Sequence, residues 1–158
     1  MKNGMVGGNV MLACLVTDLS PRSIQSEKLD KYKTRIIDVY KSQGFCVDGV
    51  PFSTPLYSKV IYIHLHQTTI DVDNMSKPLV DAFKGILYDD DKIINHRVCS
   101  KISLSDLDSY ELNLTVLPAK IAEKLDELFS LSSEHILYYE IGNFSESMVY
   151  MGGERYET

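Results

Sequence analysis

Five aspartates stand in two short groups, Asp71-Val72-Asp73-Asn74 and Asp89-Asp90-Asp91, and Lys77 lies between them. Carboxylates this close repel one another and raise each other's pKa unless positive charge sits among them. A bound divalent cation is the usual remedy, and hard oxygen ligands suit Mg²⁺ or Mn²⁺. Asp71 and Asp73 are two positions apart. In extended backbone both side chains leave one face, about 7 Å apart at Cα, which lets them share a cation. A third carboxylate can come from Asp89, Asp90 or Asp91 if the chain turns back. Lys77, one helical turn beyond Asp73, faces the same place and offers charge to a phosphoryl transition state or a leaving oxygen. The set points to metal-dependent chemistry on phosphate esters, nucleic acid first among them. Structural uses compete: Asp and Asn before a helix are good caps, and three successive aspartates make a solvated turn.

The elements that must position these residues follow from periodicity. Val10–Val16 reads as a buried strand. Asp18-Leu19-Ser20-Pro21-Arg22-Ser23 reads as a turn or loop, with Pro21 as the breaker. From Ser26 to Gly44 apolar residues recur at helical steps (Leu29, Tyr32, Ile36, Val39, Tyr40), with Ser26 and Gly44 as caps. The other side of this helix is basic, with Lys28, Lys31, Lys33 and Arg35 as candidate phosphate contacts. Residues 45–55 read as a loop. Residues 57–66 alternate as a strand, Ile61, Ile63 and Leu65 against Tyr62, His64 and His66. A second amphipathic helix is expected from about Asn74 to Phe83, with Asn74 as cap and Pro78 tolerated in the first turn. Strands at 93–104 and 110–117 are expected to pair as a hairpin. Residues 119–130 suit a third helix, and 136–141 could form a strand. Residues 1–8 and 152–158 read as loose ends.

The order gives an α+β domain: a small mixed sheet with two main helices on one face and an extra C-terminal helix. At 158 residues the chain fits one domain over 1–158, with 118–158 as an acidic C-terminal extension. Residues 105–158 hold eleven acids against three bases, whereas residues 1–104 hold thirteen bases against eleven acids. The overall charge of −6 therefore leaves DNA binding open to the first two-thirds of the chain. No apolar run approaches a membrane span. Cys14, Cys46 and Cys99 fit no zinc pattern and read as reduced thiols of a cytoplasmic protein. His64 and His66, on one strand face, would suggest zinc or iron as ligands; positions on the surface or behind the ligands are the simpler reading. Tyr88 beside the acids is a candidate substrate contact.

Asp71-Val72-Asp73-Asn74-x-x-Lys77-x-x-x-Asp81-Ala82-Phe83, then Asp89-Asp90-x-x-Ile93 and Arg97-Val98, resembles the RusA family of Holliday-junction resolvases. The resemblance covers about 30 residues, 71–101. It implies a small homodimeric, Mg²⁺-dependent endonuclease, of a kind often encoded by prophages, that cuts branched DNA in recombination and repair. It makes Asp71, Asp73 and Asp90 the metal-binding acids, with Asp89 as the alternative to Asp90, and Lys77 the catalytic cation. Asp91 falls outside the pattern, and Asp81 has a structural reading as good as a metal one. Two departures stand out. The position before the first Asp is usually basic and here is Ile70, and the chain is acidic where the family is usually basic.

The reading is a junction-cleaving endonuclease in which Mg²⁺, with Mn²⁺ as substitute, activates water and neutralises the scissile phosphate. One rival is another Asp-x-Asp nucleotidyl or phosphoryl transfer enzyme. The absence of a Gly-Ser phosphate loop before the acids weighs against it. The second rival is a non-catalytic acidic partner-binding domain of the same fold.

Overall fold

The computed structural model describes residues 11–153. The expected loose end at 1–8 lies outside the described residues, as does most of the one at 152–158. Five strands form one mixed sheet: β1 (Met11–Thr17), β2 (Phe45–Cys46), β3 (Leu56–His64), β4 (Ile94–Ser103) and β5 (His135–Asn143), in the order β2-β1-β5-β3-β4. The helices are α1 (Leu29–Gln43), α2 (Val72–Ala82) and α3 (Ala119–Ser130). Three single-turn 3₁₀ segments complete the described structure.

β5 is buried along seven of its nine residues, and its alternation divides the molecule into two cores. Leu137, Tyr139 and Ile141 pack with Tyr32 and Ile36 of α1 and with Met75, Leu79 and Val80 of α2. Ile136 and Tyr138 pack with Ile121, Leu125 and Leu128 of α3. Successive strand residues point to opposite faces. So α1 and α2 cover one face, as expected, and α3 covers the other. Residues 118–158, set apart in sequence by their acidity, thus supply both a covering helix and the central strand.

The expected hairpin between 93–104 and 110–117 is corrected. β4 pairs with β3 in parallel over Leu56–His64 and Ile94–Ser103, and α2 makes the crossover that a parallel pair requires. Residues 110–117 form no strand. Asn113 accepts hydrogen bonds from the backbone N–H and the hydroxyl of Thr115, a local turn that diverts the backbone from a ladder. The apolar alternation there is met by packing: Leu114 and Leu117 sit against the α3 core, and Tyr110 lies 5.5 Å from Phe129, ring to ring.

On the α3 face, Glu140 is buried and accepts hydrogen bonds from the phenols of Tyr57 and Tyr138. A buried carboxylate needs such partners. Burial first, and then this carboxylate, pushes both phenols well above their ordinary range. Tyr57 pairs with Gly142 across the ladder, and a Cβ at 142 would overlap the Tyr57 ring. Gly142→Ala should therefore lower stability by about 1–3 kcal/mol, the usual scale of overpacking. A reduced urea midpoint with an unchanged slope would record it; an unchanged midpoint would mean that the ring swings aside freely.

Candidate active site

Three connections position the charged residues of the site. The first is the start of α2. β3 ends at His64, and Asp71 is the extended N-cap of α2, with Asp73 in its first turn. The two acids thus occupy a helix start rather than the strand face that alternation predicted. Asn74 does not cap the helix; its N–H donates to the Asp71 carbonyl at 3.0 Å. Because α2 begins two residues earlier than expected, Pro78 falls in its second turn and has no N–H to offer the Asn74 carbonyl.

The second connection is the turn after α2. Tyr88 is fully buried, not a substrate contact. Its hydroxyl donates to the Val80 carbonyl at 2.6 Å and lies 3.1 Å from the Tyr139 hydroxyl. Gly85, at φ +79, takes the left-handed conformation that returns the chain, and its N–H donates to the Tyr88 carbonyl at 2.7 Å. Phe83 anchors the same turn, edge-on to Tyr40 and stacked on Tyr139, each at 5.3 Å. Tyr88 therefore holds the Asp89–Asp91 turn against α2 from beneath.

The third connection is edge strand β4. Arg97, Cys99 and Lys101 alternate onto one face of it. The Lys101 Nζ donates to the Ile70 carbonyl at 3.0 Å, and the Cys99 thiol donates to the Val72 carbonyl at 3.1 Å. Burial, and then the Asp73 charge, pushes the Cys99 thiol up to about 11, so it stays a neutral thiol beside that carboxylate.

Lys77 is the most constrained charge in the site. Its Nζ donates to Asp81 at 2.8 Å and to Asp91 at 3.1 Å. Lys84 lies 3.4 Å from each of those acids, and Arg97 lies 3.3 Å from Asp91. The Asp81 hydrogen bond first, and then Asp91, holds the lysine above its ordinary range against the opposing effect of burial. Lys77 is thus a fixed cation, suited to stabilising charge and unsuited to acting as a base. Asp91, one of three candidate acids in the sequence and outside the RusA pattern, is the one that Lys77 binds, a partnership the sequence did not show. Partial burial alone would raise its carboxyl, but the hydrogen bond from Lys77, one shared with Asp90, and the surrounding cations bring it down to about 2. Asp81 takes its structural reading, as a partner of Lys77 and Lys84.

The folded-state value of Asp91 lies below its ordinary 3.8. Its stabilising contribution is thus complete above that value and is lost as pH falls toward 2. Asp91→Asn should unfold at lower urea than the parent at pH 7. The difference should narrow from pH 4 toward pH 2 in paired denaturation curves. A gap that stays constant across that range would show that Asp91 does not titrate as the ion-pair network requires.

Among the described residues, Asp71 and Asp73 are exposed and neither carboxylate has a hydrogen-bond or ion-pair partner. Asp89 is exposed too, and Asp90, also exposed, accepts a hydrogen bond from the Lys92 N–H at 3.0 Å. No three His, Cys, Asp or Glu side chains converge into a ready-made metal cage among the described residues. His64 is buried, with Nδ1 2.6 Å from the His66 carbonyl, and His66 approaches Glu134 at 3.8 Å. Two open carboxylates fit Mg²⁺ well, because that ion keeps several waters and takes one or two carboxylates together with substrate phosphate oxygens.

Two polar clefts flank the segment that leads into Asp71. One, of about 330 Å³, is lined by His64, Gln67, Thr68, Lys101, Ser103, Ser105 and Asp106. The other, of about 480 Å³, is lined by Pro21, Arg22, Ser23, Ser26, Thr68, Thr69, Ile70 and Asn74. Lys28, Lys31 and Arg35 face solvent, Lys33 is half-buried, and none of the four lines either cleft.

The family model Endodeoxyribonuclease RusA matches residues 20–108, a span that holds every acid and base of this site. This chain belongs to the RusA family. The match covers more than half of the sequence and runs from the loop before α1 to just beyond β4. RusA membership makes the chain an endodeoxyribonuclease of a family that acts on branched DNA. No curated protein matches the chain. The RusA span stops before α3 and β5, although β5 is the strand on which both halves of the sheet close. No helix among the described residues is long and apolar enough to cross a membrane, and Cys14, Cys46 and Cys99 are all free.

Proposed function

We propose that this chain is a Mg²⁺-dependent endonuclease that resolves four-way DNA junctions in recombination and repair, working as a homodimer. One observation carries the reading. Within the RusA span, two unpartnered carboxylates, Asp71 and Asp73, open to solvent at the start of α2, the helix that also carries Lys77, a lysine held in its charged form by Asp81 and Asp91. Unpaired acids on the same helix as a fixed cation contribute little to folding, and they suit the binding of a metal ion and a phosphate.

In this account Asp71 and Asp73 would hold Mg²⁺, or Mn²⁺ in its place, and Asp90, one oxygen of which accepts from the Lys92 N–H, would be the third acid. When bound, the ion supplies a Lewis acid that withdraws charge from the phosphate and acidifies water. Lys77 places positive charge beside the leaving oxygen or the equatorial oxygens as negative charge develops there. Asp81 and Asp91 fix the Lys77 ammonium, so little reorganisation is needed when the phosphate arrives. Lys84 and Arg97 keep the local balance positive around those two acids. Backbone charge and junction shape carry recognition, with no need for base readout. Two symmetric cuts require two sites, hence a C2 pair of protomers.

The test is incubation of the purified protein with a synthetic four-way junction and, separately, a linear duplex of the same arms, with Mg²⁺ and with EDTA. Paired nicks in the junction that need Mg²⁺ support the proposal. Equal cutting of the duplex, or junction cutting in EDTA, would contradict it.

A further inference from the structure

We infer that the cleft between the loop before α1 and the start of α2 is a seat for a backbone phosphate of the DNA strand, with Arg22 as its cation. The inference rests on the endonuclease reading and deepens it by naming where the strand beside the scissile bond is held.

The fold singles out this cleft. Pro21 is buried and fixes the loop against the domain, leaving Arg22 exposed beside it. The Ser26 N–H donates to the Ser23 carbonyl at 3.0 Å, closing a turn that aligns the loop with Thr68–Asn74. The cleft walls carry the hydroxyls of Ser23, Ser26, Thr68 and Thr69 and the amide of Asn74, with no acidic side chain among them. Arg22 has no ion-pair partner among the described residues. An unpaired guanidinium with hydroxyl and amide donors around it matches a phosphodiester, which offers only acceptor oxygens.

Position supplies the link to catalysis. Ile70 and Asn74 line the cleft and bracket Asp71 and Asp73, so a phosphate seated there adjoins the proposed metal acids. The smaller cleft on the other side of Thr68 is a poorer seat, because Asp106 opposes Lys101 within it. The exposed bases of α1 reach neither cleft. The seat adds Arg22 to the phosphate contacts that the sequence reading placed on Lys28, Lys31, Lys33 and Arg35.

The experiment measures junction binding by the full chain in Ca²⁺, across a series of salt concentrations, for the parent and for Arg22→Gln. Losing one phosphate contact should reduce the slope of log affinity against log salt by about 0.9 and weaken binding about tenfold at low salt. Arg22→Lys should restore most of the slope, since one charge remains. The urea midpoint of Arg22→Gln should match the parent, because the side chain is exposed. Cleavage in Mg²⁺ should show a raised KM with kcat nearly unchanged. An unchanged slope in Arg22→Gln, or no salt-dependent binding by the parent, overturns the seat. A reduced slope with no cleavage by the parent upholds the seat and overturns only the junction-nuclease reading.

Discussion

Asp73→Asn should abolish Mg²⁺-dependent junction cleavage and leave the protein as stable as its parent. The carboxylate is exposed and has no hydrogen-bond or ion-pair partner among the described residues, so the amide should cost folding less than about 0.5 kcal/mol. The loss in kcat should be at least 10²–10³-fold, roughly the scale of removing one charge-stabilising group from a transition state. Asp71→Asn should act alike, because the Asp71 side chain makes no capping hydrogen bond that the substitution would break. Asp90→Asn should cost less, since Asp90 already accepts a hydrogen bond from the Lys92 N–H. Single-turnover cleavage and urea denaturation on the same samples measure both halves. Near-parental cutting by Asp73→Asn would remove the site assignment.

The second large effect is expected at Lys77. Lys77→Met should slow cleavage by about 10²–10³-fold and change stability by less than about 1 kcal/mol, the scale of partly exposed ion pairs. The stability cost stays small because Asp81 keeps Lys84, and Asp91 keeps Lys84 and Arg97. The direction of the Lys77 shift adds a second readout. A lysine held above its ordinary range by Asp81 and Asp91 stays charged through neutral and mildly alkaline pH. The parent rate should therefore show no basic-limb loss assignable to this residue below about pH 10. A lysine acting as a general base would give the opposite result, a rate that rises as the amine loses its proton.

The features of this site legible in the sequence were those set by local pattern. The apolar stripe of α2 put Met75, Leu79 and Phe83 in the core, where they are fully buried. α3 spans Ala119–Ser130, as its periodicity predicts. The spacing of Asp71, Asp73 and Lys77 carried the resemblance to RusA, although the sequence put the two acids on a strand face and the fold puts them at the start of α2. What escaped the sequence depends on contacts between distant residues. β4 alternates well enough to pair with any neighbour, and α2 delivers it to β3. Residues 110–117 alternate equally well, but the Asn113 turn and the α3 face absorb them. Three successive aspartates carry no mark of which one faces Lys77. The 3₁₀ turn at Asp91–Ile93 decides it, with Asp90 as N-cap and Asp91 turned toward Lys77, Lys84 and Arg97. Tyr88 stands beside the acids in sequence but lies under them in space.

The RusA match and the sheet divide the chain differently, and that bears on stability rather than chemistry. Every residue of the proposed site lies within 20–108, while β5 bonds to β1 on one side and β3 on the other. The acidic C-terminal third is therefore part of the scaffold that fixes the site.

The central claim is that Asp71 and Asp73 together take up a divalent ion. Its most direct test is Mn²⁺ titration followed by electron paramagnetic resonance, comparing the parent with the Asp71→Asn, Asp73→Asn double variant, both without DNA. The account predicts saturable loss of the free Mn²⁺ signal with the parent and none beyond background with the double variant. Equal uptake by both proteins, or none by the parent, would contradict it.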